Sequence, residues 1–202
     1  SYGAGINGSG QVVGWSYAAG DAGMRATLWQ GGAARDLGTL GGATSQAYAI
    51  SNNRVVVGVA ATAAGQPHAF YFAVDATGGV TSRVDLGVLG GGASYGYAVN
   101  TSGDVVGTSA SRAFLWHAGS MSDLNAAIPA GSGWILERAW AINDSGQIVG
   151  SGLLNGMPRG FLLRPSCYAN CDQSTTSPVL NVLDFSCFLN RFAASDPYAN
   201  CD

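Results

Sequence analysis

The chain has 202 residues, of which 10% are charged, and a formal net charge of −3; an average globular domain is about 25% charged. The nine basic residues are all arginine and Glu137 is the only glutamate, so the usual residues of exposed helices are missing. Without a basic face the chain is not expected to bind nucleic acid, and no apolar run approaches the ~20 residues that span a bilayer.

In chain order, one motif returns at intervals of roughly 45 residues. Ile6-Asn7 recurs as Ile50-Ser51, Val99-Asn100 and Ile142-Asn143. After each comes a Val-Val-Gly step: Val12-Val13-Gly14, Val56-Val57-Gly58, Val105-Val106-Gly107 and Ile148-Val149-Gly150. An aromatic strand follows, at Ala26–Trp29, Ala69–Phe72, Ala113–Trp116 and Gly160–Leu163. Asp36-Leu37, Asp85-Leu86 and Asp123-Leu124 close the first three copies, and the fourth stops before that element.

Each piece has a strand or turn reading. Asn7-Gly8-Ser9-Gly10, Asn100–Gly103 and Asn143–Gly146 are turns that asparagine opens and glycine completes. The β-branched pairs and the aromatic segments read as buried strands, and the repeated aspartates as strand-end hydrogen-bonders. The expected fold is all-β: four-stranded antiparallel units of β-propeller-blade type, stacked in a ring or in a row. The units occupy residues 1–164.

The pattern Ala-x-Leu-Trp, Asp-Leu-Gly-Thr-Leu-Gly-Gly, Ser-x-Ala-x-x-Ile and Val-Val-Gly, fullest over residues 26–58, resembles the HAF family of bacterial extracellular repeats. The resemblance covers about residues 1–164. It implies an exported, propeller-like protein and brings no catalytic residues. The third unit departs from it, with Asn125-Ala126-Ala127-Ile128-Pro129 in place of Gly-Thr-Leu-Gly-Gly.

Beyond Arg164-Pro165 the composition changes, marking a second segment at 165–202. All four cysteines lie there, Cys167, Cys171, Cys187 and Cys201. Their clustering without histidine favours disulfides in an oxidising compartment over zinc, with three pairings possible. Tyr168–Asp172 returns as Tyr198–Asp202, and Phe185, Phe188, Leu189 and Phe192 form the stripe of an amphipathic helix. The segment resembles a dockerin, a calcium module of EF-hand-like loop–helix halves, in the cysteine-bearing form of planctomycete secreted proteins. On that resemblance Asp172, Ser174, Thr176 and Asp184 would hold Ca2+. The loop is one residue longer than the EF-hand scheme, and hydroxyls stand in for carboxylates, so affinity should be reduced. Only the first loop of a two-loop module is present.

No nucleophile elbow, HExxH or phosphate loop is read in the chain, and His68 and His117 are expected as polar residues at strand ends. The sequons at Asn7, Asn100 and Asn143 are better read as turn residues than as glycosylation sites. Trp15, Trp134 and Trp140 are the tryptophans less dictated by the repeat, and Trp134 and Trp140 are candidates for binding. Three functions compete. The first is a non-catalytic extracellular or cell-surface module, anchored through the tail to a cohesin-like or cell-surface partner. The second is a filament subunit that pairs head-to-tail with itself, and the third is a polysaccharide-binding or carbohydrate-active protein.

Overall fold

The computed structural model describes residues 1–17 and 23–164. The proposed calcium ligands Asp172, Ser174, Thr176 and Asp184, the four cysteines and the amphipathic helix lie outside the described residues. No described helix is long and apolar enough to cross a membrane.

Among the described residues fifteen strands form four antiparallel sheets, one per repeat. The first holds β1 (Tyr2–Ile6), β2 (Val12–Tyr17), β3 (Met24–Gln30) and β4 (Ala33–Gly38). The second holds β5 (Gly41–Ile50), β6 (Val55–Thr62), β7 (Pro67–Val74) and β8 (Val80–Asp85). The third is β9 (Ser94–Val99), β10 (Val105–Ser109), β11 (Arg112–His117) and β12 (Ser120–Asp123). The fourth has three strands, β13 (Trp134–Ile142), β14 (Ile148–Leu154) and β15 (Met157–Leu163).

Hairpins join the strands within each sheet because the turns supply the backbone they need. Asn7 accepts the Gly10 N–H, Asn100 the Gly103 N–H and Asn143 the Gly146 N–H, each glycine with φ between 71° and 87°. The second unit puts Arg54 at that point, with φ 63°. Three aspartates end their strands as expected. Asp36 accepts the Gly38 N–H, Asp85 the Gly87 N–H and Asp123 the Asn125 N–H, at 2.7 to 2.9 Å. Across the same hairpins Arg25 meets Asp36, His68 meets Asp85 and Arg112 meets Asp123. His68 therefore fills the position that arginine fills in the flanking units.

The sheets pack face to face, and the repeat dictates how. On β2, β6, β10 and β14 two β-branched residues stand side by side, and successive side chains of a strand point to opposite faces. The second of the pair faces the following sheet and the first faces the preceding one. Val13 and Leu28 meet Ile50, Val56 and Phe72 in the first core. Ala49, Val57 and Tyr71 meet Val99, Val105 and Trp116 in the second, and Ala98, Val106 and Leu115 meet Ile142, Ile148 and Leu163 in the third. The first strand of each later sheet lies across the first three strands of the sheet before it. Packing runs between consecutive sheets, so the units form an open row and not a closed propeller.

Short polar clips tie each unit to the next. The Ser45 hydroxyl accepts the Ala26 N–H and donates to the Gly38 carbonyl, and Ser94 does the same with Ala69 and Gly87. The third exit loop differs as its sequence suggested. Leu124–Ala127 forms a 3₁₀ turn capped by Asp123, and the Asn125 amide clasps both backbone groups of Leu136.

The same residue type at the same repeat position gives a direct test of the row. Leu28 is fully buried and Leu162 is 48% exposed. Leu28→Ala should cost about 2–5 kcal/mol and Leu162→Ala under ~1 kcal/mol. Denaturant unfolding in dilute solution measures both, and equal losses would contradict the packing order.

Candidate functional site

The repeated glycine of Val-Val-Gly has a role that its sequence context did not reveal. Opposite it, the first strand of each unit carries a β-bulge, with register breaks at Gly3/Gly5, Ala47/Ala49, Gly96/Ala98 and Ala139/Ala141. There the first-strand carbonyls of Tyr2, Gln46, Tyr95 and Arg138 press onto Gly14, Gly58, Gly107 and Gly150. A Cβ at any of these glycines would fall inside the carbonyl oxygen. A bulge opposite a residue without a side chain is the arrangement that permits this approach.

The extra residue of each later bulge is aromatic: Tyr48, Tyr97 and Trp140. A bulge re-aims its side chain, and here it aims all three along one edge of the row. Tyr2 and Trp15 stack at 4.5 Å, Trp15 meets Tyr48 edge-on at 6.1 Å, Tyr48 lies 5.9 Å from Tyr97, and Tyr97 stacks on Trp140 at 4.7 Å. These separations are in the favourable range for aromatic pairs. The result is an aromatic ladder through all four units, with Tyr2 58% and Trp140 47% exposed at its ends. Shallow grooves flank it, one lined by Met24, Gln46, Tyr48, Pro67 and Tyr95, the other by Tyr95, Tyr97, Thr108, Ser111 and Arg138.

Within the ladder the Tyr48 hydroxyl donates to the Gln46 amide oxygen at 2.9 Å, and the Trp140 indole N–H donates to the Ser151 hydroxyl at 3.0 Å. Burial, with Tyr97 and Tyr95 close by, pushes the Tyr48 hydroxyl up to about 12. Burial also raises Tyr97, against the opposing pull of Arg138. Of the two tryptophans singled out in the sequence, Trp140 joins the ladder. Trp134 is half-buried against the third core, edge-on to Phe161 at 6.4 Å.

A second line of contacts runs along the first turns. The Asn7 amide donates to the Ser51 carbonyl of the next unit and the Asn100 amide to the Asn143 carbonyl. The Thr101 N–H donates to the Asp144 carboxylate, which holds that carboxyl below its usual range. Asn7 and Asn100 are 8% and 4% exposed, with their amides engaged, so these sequons serve the turns. Asn143 is exposed. His117 lies 2.5 Å from Asp104, a carboxylate that also accepts from Asn100.

One sequence reading needs correction. A Gly-x-Ser-x-Gly match does run from Gly92 to Gly96. Ser94 is nonetheless fully buried on β9, with its hydroxyl donating to one backbone group and accepting from another. A nucleophile elbow needs an exposed hydroxyl between a strand and a helix, so Ser94 is a clip between units. Among the described residues no three His, Cys, Asp or Glu side chains converge as a metal site. No protein-family model matches the chain, and no curated protein matches it.

The ladder titration has a defined sign. Tyrosines of an unfolded chain titrate near ~10, so the folded state holds the Tyr48 proton more tightly. That contribution is fully present below the unfolded value and is lost as pH rises from there through the folded value of about 12. Tyr48→Phe should therefore lose less stability than the parent over that interval. Parallel urea-unfolding curves for the two proteins across it would refute the assignment.

Proposed function

We propose that the protein is a non-catalytic, exported β-repeat scaffold of HAF type, built from blade-like units and carrying a dockerin-like tail for calcium-dependent attachment. One observation carries this reading: the repeated residues are used to hold one unit on the next. The β-branched pair and the aromatic strand fill the three cores. The glycine admits the bulge, the serines clip consecutive units, and the asparagines bridge successive turns. A sequence whose recurring positions are occupied in this way encodes a stiff row of sheets, as in other repeat proteins.

Tyr2 stacks on Trp15 and Tyr97 on Trp140, so one face of each of these rings is used within the row. The proposal names no polysaccharide partner.

The compartment is tested on native material by alkylating free thiols before lysis. Cys167, Cys171, Cys187 and Cys201 should be found oxidised, in a pool that added protease can reach. A reduced, protease-protected pool would remove the exported reading.

The tail is tested separately by calorimetric titration with Ca2+. Heat should be seen in the parent, and Asp172→Ala with Asp184→Ala should abolish it. Parent protein that gives no heat at millimolar Ca2+ would leave the tail without its calcium role.

A further inference from the structure

The repeat makes the two ends of the row comparable with its interior, position by position. Facing forward, each sheet presents a cross-strand row of small, β-branched and large residues. These rows are Gly5–Val13–Leu28, Ala49–Val57–Tyr71, Ala98–Val106–Leu115 and Ala141–Val149–Leu162. Facing backward, the rows are Ile6–Val12–Trp29, Ile50–Val56–Phe72, Val99–Val105–Trp116 and Ile142–Ile148–Leu163. Each of the three cores among the described residues is a forward row packed against a backward row.

Two rows lack a mate among the described residues. The forward row of the fourth sheet leaves Val149 43% and Leu162 48% exposed, although Val13, Val57 and Val106 are 0% exposed. The backward row of the first sheet leaves Ile6 68% exposed, where its equivalent Ile50 is 7% exposed. These are apolar side chains in the pattern that the three junctions bury, and the chain carries one of each kind.

We propose that the forward face of the fourth sheet takes the backward face of the first sheet of a second copy of this chain. The new junction continues the three existing ones in kind and register. It is heterologous, so it adds copies head to tail and does not stop at a symmetric dimer. The fourth sheet needs no fourth strand for it, because each later first strand lies across the first three strands of the sheet before it. Other features point the same way. Among the described residues the Asn143 amide donates to Gln147, whereas the equivalent Asn7 and Asn100 amides also bridge to the next unit. The exposed ends of the aromatic ladder, Trp140 and Tyr2, lie on the fourth and the first sheet. The inference rests on the repeat-stack reading, but its test reads association alone, whatever the compartment or the calcium.

The test uses residues 1–202 and sedimentation velocity over a concentration series. The parent should form a ladder of multiples of 20.5 kDa. Val149→Glu with Leu162→Glu blocks the forward face, and Ile6→Glu blocks the backward face. Both changes lie on exposed side chains. Each variant alone should be monomeric, with association weakened by roughly tenfold or more. Mixed one to one, they should give a dimer that grows no further, because each keeps the face the other lacks. Circular dichroism checks folding, and Ala141→Arg, on the same exposed row, serves if the glutamate pair disturbs it. A parent that stays monomeric at every concentration overturns the proposal, whether its own tail or nothing covers the face. So does a variant that still self-associates, or a mixture that fails to pair.

Discussion

Two adjacent β-branched residues on the second strand of every unit carry the rest of the structure. Strand geometry sends their side chains to opposite faces, so one strand supplies the centre of two cores. Val56 lies in the first core and Val57 in the second, and Val105 and Val106 do the same for the second and third. A sheet with two apolar faces cannot stand alone in water, so each unit depends on its neighbours. That dependence makes the row cooperative, and it leaves apolar residues exposed wherever the row stops.

The bulge on the first strand is the second constraint, and it follows from the glycine beside the β-branched pair. The carbonyls of Tyr2, Gln46, Tyr95 and Arg138 approach that glycine closely, and the next residue is displaced. In the later units the displaced residue is Tyr48, Tyr97 or Trp140, which gather into a ladder that braces the edge of the row. In the first unit Ala4 takes that place, and Trp15 from β2 meets Tyr48 in its stead. Packing, bulge and ladder are thus one device repeated, with a substitution where one copy lacks the usual side chain.

Much of this was legible in the residues. The repeat, the strands, the three-strand last unit and the turn role of the aspartates follow from local chemistry that acts over a few residues. Asp36, Asp85 and Asp123 bond to backbone two positions on, so their role needs no tertiary information. His68 reads from the sequence as a strand-end polar residue, and its pairing with Asp85, where Arg25 and Arg112 pair with Asp36 and Asp123, gives that reading its reason. The Gly-x-Ser-x-Gly match at Gly92–Gly96 shows the opposite case. Its pattern is that of an exposed nucleophile, while Ser94 is buried by contacts from Ala69 and Gly87 of the preceding unit.

The sequence by itself determined the all-β repeat, its unit length and which residues are apolar, because alternation and turn chemistry are written along the chain. Only the tertiary structure decided which face of each strand meets which neighbour, and that the row is open. It also decided that the bulged aromatics line one edge and that Asn7 and Asn100 are buried while Asn143 is not. Those outcomes depend on contacts between residues more than 40 positions apart, such as Asn7 with Ser51 and Asn100 with Asn143. A periodic sequence assigns equivalent positions the same residue types; their different surroundings arise from having a neighbouring sheet on both sides or on one.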